Sequence, residues 1–401
     1  MSVLPKAEKP AHVPDELVVD FDFFRPGPEG SDPFLAWTRL HEYPPVVWTP
    51  RNGGHWIVTR GEETKEVLTD LENFSSRSAF IGMANNRPRA VPLEYDPPDH
   101  GPLRKTLLPA FAPKSVALWS DEARRLAIEL IEGFRPNGRC EFMGDFAQQL
   151  PMIIFLKMVD LPLEDRAKLV SWVNTGLRST DQQARVDARD NLNRYMSALV
   201  KERQAKPGDD MLSQALHADI GGRKMNWDEA LGVASGLLGG GLDTVASSMG
   251  WMALFLAQNP AHRRQLIEDD KLIVRSIDEF LRRFSIPNIA RVVKHDMEYK
   301  GAPLKAGEQI LMSGCIHGLD ARSFENPMEV DFNRRDAFRH STFSHGIHRC
   351  VGQALALQEM RIFLQEWLPR IPDFALDPKD KPVMVTGIVH GLARLPLVWA
   401  A

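Results

Sequence analysis

Between Ser120 and Phe134 the apolar residues fall at Ala123, Leu126, Ala127, Leu130, Ile131 and Phe134. Steps of three and four place them on one stripe of a helix, so this segment is predicted to lie on a core. The same period predicts helices over 144–158, 164–177, 184–203, 227–258, 272–284 and 353–368. Lys206-Pro207-Gly208 marks a loop, because proline and glycine both oppose helix continuation. After Pro287 the texture changes. Residues 289–293, 298–300 and 309–312 read as short strands with 306–308 as a turn, and a second β region is predicted near 383–399. Upstream, residues 53–58 read as a turn entering a strand. The chain is therefore predicted to be mainly α with a small β portion. No repeat or low-complexity linker divides it; residues 1–20 are expected to form a flexible N-terminal tail and 21–401 a single domain.

Composition narrows the picture. With 43% hydrophobic residues in 401, a large buried core is available, and a net charge of −4 gives no general affinity for nucleic acid. Three scattered cysteines, Cys140, Cys315 and Cys350, argue against a disulfide framework and fit a reducing cytoplasm. The first sixteen residues lack the apolar run of a signal peptide. Residues 230–257 are long enough to span a bilayer, but they carry Asp243 and a glycine cluster, so a buried helix of a protein without a membrane partner is expected.

Candidate chemistry centres on residues 343–352, where Cys350 sits among glycines and bases. Nearby positive charge and amide donors are what a thiolate needs to act as a metal ligand. His345, His348 and Cys350 could also be zinc ligands, but structural zinc usually takes four ligands from two separated pairs, and no second pair is present. A lone thiolate fits non-covalent haem better; an ordinary core cysteine is the plainest alternative.

A second feature is Gly232, Gly236, Gly239, Gly240 and Gly241 within one predicted helix. Five interior glycines cost about 4–5 kcal/mol relative to alanine. Close helix packing explains Gly232 and Gly236; it does not explain three consecutive glycines followed by Asp243 and Thr244. Positions 232, 236, 240, 243 and 247 share a face at helix spacing, which would leave an acid and an alcohol beside open backbone. Glu279 and Arg282, three apart, can form an ion pair, and such pairs are common on surfaces. His100, Arg104, Arg291 and His348 could bind a pair of carboxylates.

In this order the four elements resemble the cytochrome P450 family of haem-thiolate monooxygenases. Phe343-x-x-Gly346-x-His348-x-Cys350-x-Gly352 is similar to the family's cysteine loop, 240–244 to its oxygen-binding helix, and Glu279-x-x-Arg282 with Arg334 to its structural triad. The resemblance runs nearly the full length and is closest to the bacterial camphor hydroxylase group. It implies a single triangular helical domain with a small β lobe and haem b with Cys350 as axial iron ligand. Phe343 and Gly352 would flank the cofactor, and His100, Arg104, Arg291 and His348 would hold its propionates. Asp243 and Thr244 would relay protons during dioxygen cleavage.

The pocket implied by the resemblance includes Phe80, Gly236, Gly239, Pro287, Ile388 and Val389. Residues 83–93 lack the tyrosine of the camphor enzyme, Gly236 and Gly239 replace bulkier residues, and Ile289 stands in place of a carboxylate. The expected reaction is hydroxylation of a small apolar terpenoid, such as the norisoprenoid ionone or a camphor-like monoterpenoid, using O2. Electrons would come from a [2Fe–2S] ferredoxin and its NAD(P)H-dependent reductase. Arg104, Lys105, Arg339 and Arg349 are expected to form the docking surface, with Lys114, Arg334, Arg335 and His340 adding positive charge. A peroxide-driven peroxygenase and a haem gas sensor are the alternatives; retention of Asp243 and Thr244 counts against the first and absence of an output domain against the second. A cytoplasmic monomer is expected.

Overall fold

The stripe on 120–134 belongs to a longer helix, Pro113–Phe134, in a computed structural model that describes residues 5–28, 30–82, 88–179, 181–241 and 243–400. Proline sits in its first turn, where a missing N–H costs no helical bond. Val116, Ala123, Ala127, Ile131 and Phe134 are buried, and the helix packs along Gln353–Arg370, which follows the cysteine loop. Across that seam Arg124 pairs with Glu366 and donates to Gln365 Oε1 at 2.7 Å. The helices Gln149–Met158, Arg166–Arg178, Gln182–Ala205 and Leu272–Arg283 form where the apolar period places them.

The helix expected over 227–258 is two helices, Trp227–Gly241 and Thr244–Gln258. Asp243 lies between them in a non-helical conformation (φ −128°, ψ −31°). Adjacent glycines hold a helix weakly, and the Thr244 hydroxyl donates to the Gly240 carbonyl at 2.9 Å, competing with the backbone ladder. The second half is buried at every position from Val245 to Leu254 and threads the core.

A five-stranded sheet orders Val46–Thr49, His55–Val58, Gln309–Ser313, Asn288–Val293 and Phe74–Ser75. Only the contact between His55–Val58 and Gln309–Ser313 is parallel. Trp48, Trp56, Phe74, Val293, Ile310 and Met312 form its core, beside the main helical core. Among the described residues, three smaller sheets complete the β portion of this single, mainly α domain.

The stretch expected to be a flexible tail is tied down from Ala7, whose amide donates to the Pro50 carbonyl at 2.8 Å. Val19 N donates to Trp48 O at 2.8 Å, and Val13 and Leu17 are buried against the sheet. Its apolar residues insert singly between prolines and charges, so no periodicity announces them. Among the described residues no helix is long and apolar enough to cross a membrane.

Candidate functional site

The cysteine loop closes on itself: Cys350 N donates to Phe343 O at 2.8 Å, and Arg349 N to Gly346 O at 3.2 Å. Gly346 has φ +66°, which favours glycine, and a side chain there would also crowd Thr69 Cγ2 at 3.3 Å. Arg104 Nη2 clamps the loop by donating to Arg349 O at 2.6 Å. Cys350 lies deep in the molecule, yet its surface is accessible, so it opens onto an internal space. Burial pushes its thiol pKa up, while the amides of Gly352 and Gln353 and the charge of Arg104 oppose that shift. A bound cation would complete formation of the thiolate.

Zinc does not fit here. His345 Nε2 hydrogen-bonds Ser341 Oγ at 2.8 Å and His348 Nε2 bonds Ser76 Oγ at 2.9 Å. Among the described residues no three His, Cys, Asp or Glu side chains converge to hold a metal ion.

Next to the loop, His100 and His348 bring their rings within 4.4 Å, from the start of the helix His100–Lys105 and from the cysteine loop. Arg291, on the strand Asn288–Val293, is buried, and desolvation lowers its pKa to about 10. Arg291 Nη2, His100 Nε2 and His348 Nδ1 are buried without a partner in the protein. The nearby carboxylate, Asp96, is already engaged by Ser75 Oγ and by Ser76 N at 2.8 Å. Three orphaned nitrogens around a basic, water-poor spot are complementary to an anion brought from outside. Haem fits: its propionates would satisfy these atoms and its iron would take Cys350.

Gly232 and Gly236 are packing residues. A Cβ would stand 2.2 Å from Arg89 O at the first and 2.8 Å from Val91 O at the second, while Val91 N donates to Gly232 O at 3.1 Å. Gly236, expected in the pocket, is therefore capped by the segment 89–91. Gly241 seats on Phe155. Gly239 and Gly240 face open space. Immediately beyond them Asp243 is buried, with Ser247 Oγ donating to its Oδ2 at 3.4 Å.

Glu279 and Arg282 are not a surface pair: both are fully buried. Arg282 Nε donates to Glu279 Oε2 at 2.7 Å and Nη2 to Oε1 at 2.8 Å. The guanidinium also donates to Gly318 O, Pro327 O and Glu329 O. Arg334 Nε completes the triad, 3.1 Å from Glu279 Oε2.

The pocket candidates other than the glycines come together around the strand Asn288–Val293. Pro287 bridges Val389, Asn288 N donates to Ile388 O at 2.9 Å, and Ala290 N donates to Ala79 O beside Phe80 at 2.8 Å. Residues 83–87, part of the segment that departs from the camphor enzyme, lie outside the described residues. Of the docking candidates, Lys105, Arg339 and Arg349 are exposed and Arg104 is partly turned inward to its carbonyl. Arg334 and His340 do not belong to that surface: the first is spent on Glu279 and the second is buried. A motif reading treats every base near the cysteine as available, which tertiary pairing overrides.

Sequence reasoning missed Ser76, which fixes the His348 ring, and Glu94, whose carboxylate accepts from Ala79 N at 3.0 Å and Ala90 N at 2.8 Å. Neither carries a signal in a single chain. Asp96, ahead of the helix His100–Lys105, ties that helix to the Ser75–Ser76 strand end: its main-chain carbonyl accepts from His100 N at 3.0 Å and its carboxylate from Ser76 N at 2.8 Å.

Acid sensitivity follows from other buried histidines. Desolvation lowers His55 and His317 to about 3 from an ordinary 6.5. The unfolded chain therefore binds more protons below pH 6.5, and stability falls as pH drops from there toward 3. At pH 5 fully buried His55 alone costs about 2 kcal/mol. Urea titrations at pH 7 and pH 5 should show a smaller loss for His55→Gln than for the wild type; equal losses would remove His55 from the acid limb.

Comparison with known proteins places these features together. A family model for cytochrome P450 matches residues 156–389. A probable cytochrome P450 127A1 of Sinorhizobium fredii is 33% identical over 403 residues, spanning 98% of this chain and 97% of the relative. Cytochrome P450(BM-1) of Priestia megaterium is 29% identical over 377 residues, 85% and 92% of the two chains. Among solved structures, CYP101J2 is 36% identical with a TM-score of 0.89, and CYP101C1 is 38% identical with 0.88. Each comparison covers 98% of this chain and 100% of the other.

Proposed function

Because the chain belongs to the cytochrome P450 family of haem-thiolate monooxygenases, we propose that it hydroxylates an apolar terpenoid with O2 and electrons from a [2Fe–2S] ferredoxin. Haem b, when bound, supplies dioxygen activation and insertion of one oxygen atom into a C–H bond. What the chain contributes is placement. Cys350 would bind the iron, and Arg291, His100 and His348 would hold the propionates.

The observation that carries the reading is the broken helix: Thr244 Oγ1 on the Gly240 carbonyl, beside buried Asp243 and open backbone at Gly239 and Gly240. In this reading Thr244 would turn its hydroxyl from the Gly240 carbonyl to the oxygen substrate, and Asp243 would relay protons toward it. Phe80, Pro287, Ile388 and Val389 offer an apolar lining that excludes water and favours a greasy substrate. Likeness to the camphor hydroxylase group supports a terpenoid, while glycine at 239 and the missing tyrosine favour a norisoprenoid such as ionone over camphor. Lys105, Arg339 and Arg349 would steer an acidic ferredoxin, itself reduced by an NAD(P)H-dependent reductase, to the cysteine side. The enzyme would work as a cytoplasmic monomer.

A terpenoid panel scored by the low- to high-spin change of the haem band, followed by turnover with NADH and redox partners against peroxide alone, tests substrate and oxidant together. No spin shift with any terpenoid would reject the substrate class; efficient turnover by peroxide alone would reject the electron-transfer route. Thr244→Ala is expected to lose most product per NADH consumed and release peroxide instead. Unchanged coupling would remove Thr244 from the proton path.

A further inference from the structure

Beside the cysteine loop a groove runs between the helices Gly61–Thr69 and Gln353–Arg370 and the turn Ala337–Arg339. Its walls include Phe343, His345 and Arg349 of the loop, so whatever enters it lies against the segment that carries Cys350. On its rim stands Phe338, 64% exposed. Single exposed apolar residues need no explanation in general, but two further observations single this one out.

The first is rigidity. Ala337 is buried, Arg339 N donates to Asp336 O at 3.0 Å and His340 N to Ala337 O at 3.2 Å, so a short 3-10 turn pinned on both sides displays the ring. An aromatic held in place gives up little freedom on contact. The second is its surroundings. Lys65, Arg339 and Arg349 share the groove with Glu62 and Asp278, and Arg339 lies 3.8 Å from both Glu62 and Asp336. With exposed Arg335, next to Asp336 in the chain, four cations stand against these three acids, an excess of one positive charge around the ring. An aromatic centre inside a charged rim is the anatomy of a protein-binding hot spot.

We propose that Phe338 is the apolar anchor of the electron-donor interface. The partner it fits is an acidic [2Fe–2S] ferredoxin presenting an aliphatic or aromatic side chain within a ring of carboxylates. This rests on the ferredoxin reading above and adds to it that contact area at Phe338, rather than the arginines, sets affinity. The arginines then govern encounter and its salt dependence.

The test uses the haem-loaded protein, a panel of acidic bacterial [2Fe–2S] ferredoxins and an NADH-dependent reductase. Phe338→Ala should raise the half-saturating ferredoxin concentration about thirtyfold, the least loss that marks a hot-spot residue. Its rate at saturating ferredoxin, peroxide-driven rate and salt slope should stay unchanged, and Phe338→Leu should recover most of the affinity. Arg339→Ala should instead flatten the salt slope. An unchanged half-saturating concentration in Phe338→Ala, with the wild type reduced normally, overturns the anchor and leaves the ferredoxin reading intact. Failure of every ferredoxin to reduce the wild type overturns both. A concentration-dependent dimer that Phe338→Ala abolishes would assign the ring to a second copy of this chain and overturn the proposal as well.

Discussion

Replacing Cys350 with alanine is expected to abolish the thiolate-type absorption band of the reduced carbon monoxide complex and all NADH-driven hydroxylation. The loop around it should survive, because its closure rests on main-chain bonds: Cys350 N to Phe343 O, and Arg104 to the Arg349 carbonyl. The propionate partners Arg291, His100 and His348 are also untouched. Haem should therefore still bind, more weakly and without its sulfur ligand. Cys350→Ser makes the sharper comparison, since it keeps shape while replacing sulfur by a much poorer electron donor to iron. A surviving thiolate-type band in Cys350→Ala would reject the ligand assignment, because Cys140 and Cys315 are buried elsewhere in the core.

The second large effect concerns stability. Arg282→Met would leave the Glu279 carboxylate, with no exposed surface, facing only Arg334 and the Asp331 amide. It would also strip hydrogen bonds from the carbonyls of Gly318, Pro327 and Glu329. Breaking a buried ion pair from one side typically costs about 3–5 kcal/mol, a large part of the usual 5–15 kcal/mol of a folded domain. Urea unfolding should show a much lower midpoint, with poor haem retention in cells. Arg282→Lys should fall between, since it keeps the charge and loses the planar fork. A Met variant with the wild-type midpoint would show that the triad is dispensable.

These two sites also show what a single chain discloses. Cys350 stood out because its neighbours, glycines and bases, are unusual around a core thiol. Arg282 did not: Glu-x-x-Arg looks the same on a surface as in a core, and resemblance to the family, not spacing, pointed inward. Most helices were legible because a 3.6-residue apolar period is a local property. The break at Asp243 was less so, since a run of apolar and small residues continues through it, and neither the adjacent glycines nor the Thr244 bond to Gly240 alters the apolar period. The N-terminal segment was misread for the opposite reason, its contacts with the sheet being long-range and aperiodic. Arg334 and His340 were drawn toward the surface by charge alone, although burial and pairing turn them inward.

The seating of residues 89–91 on Gly232 and Gly236 bears on how this enzyme can be altered. A methyl group at Gly232 would meet a carbonyl oxygen at 2.2 Å, and Val91 bonds back to the same glycine. Loop and helix are thus a matched pair, like two halves of a mould. Grafting the corresponding loop from a relative with larger helix residues would fail unless both glycines were exchanged with it. Enlarging either glycine on the helix alone would likewise push the loop away. Selectivity in this chain should evolve, or be engineered, in coordinated blocks rather than residue by residue.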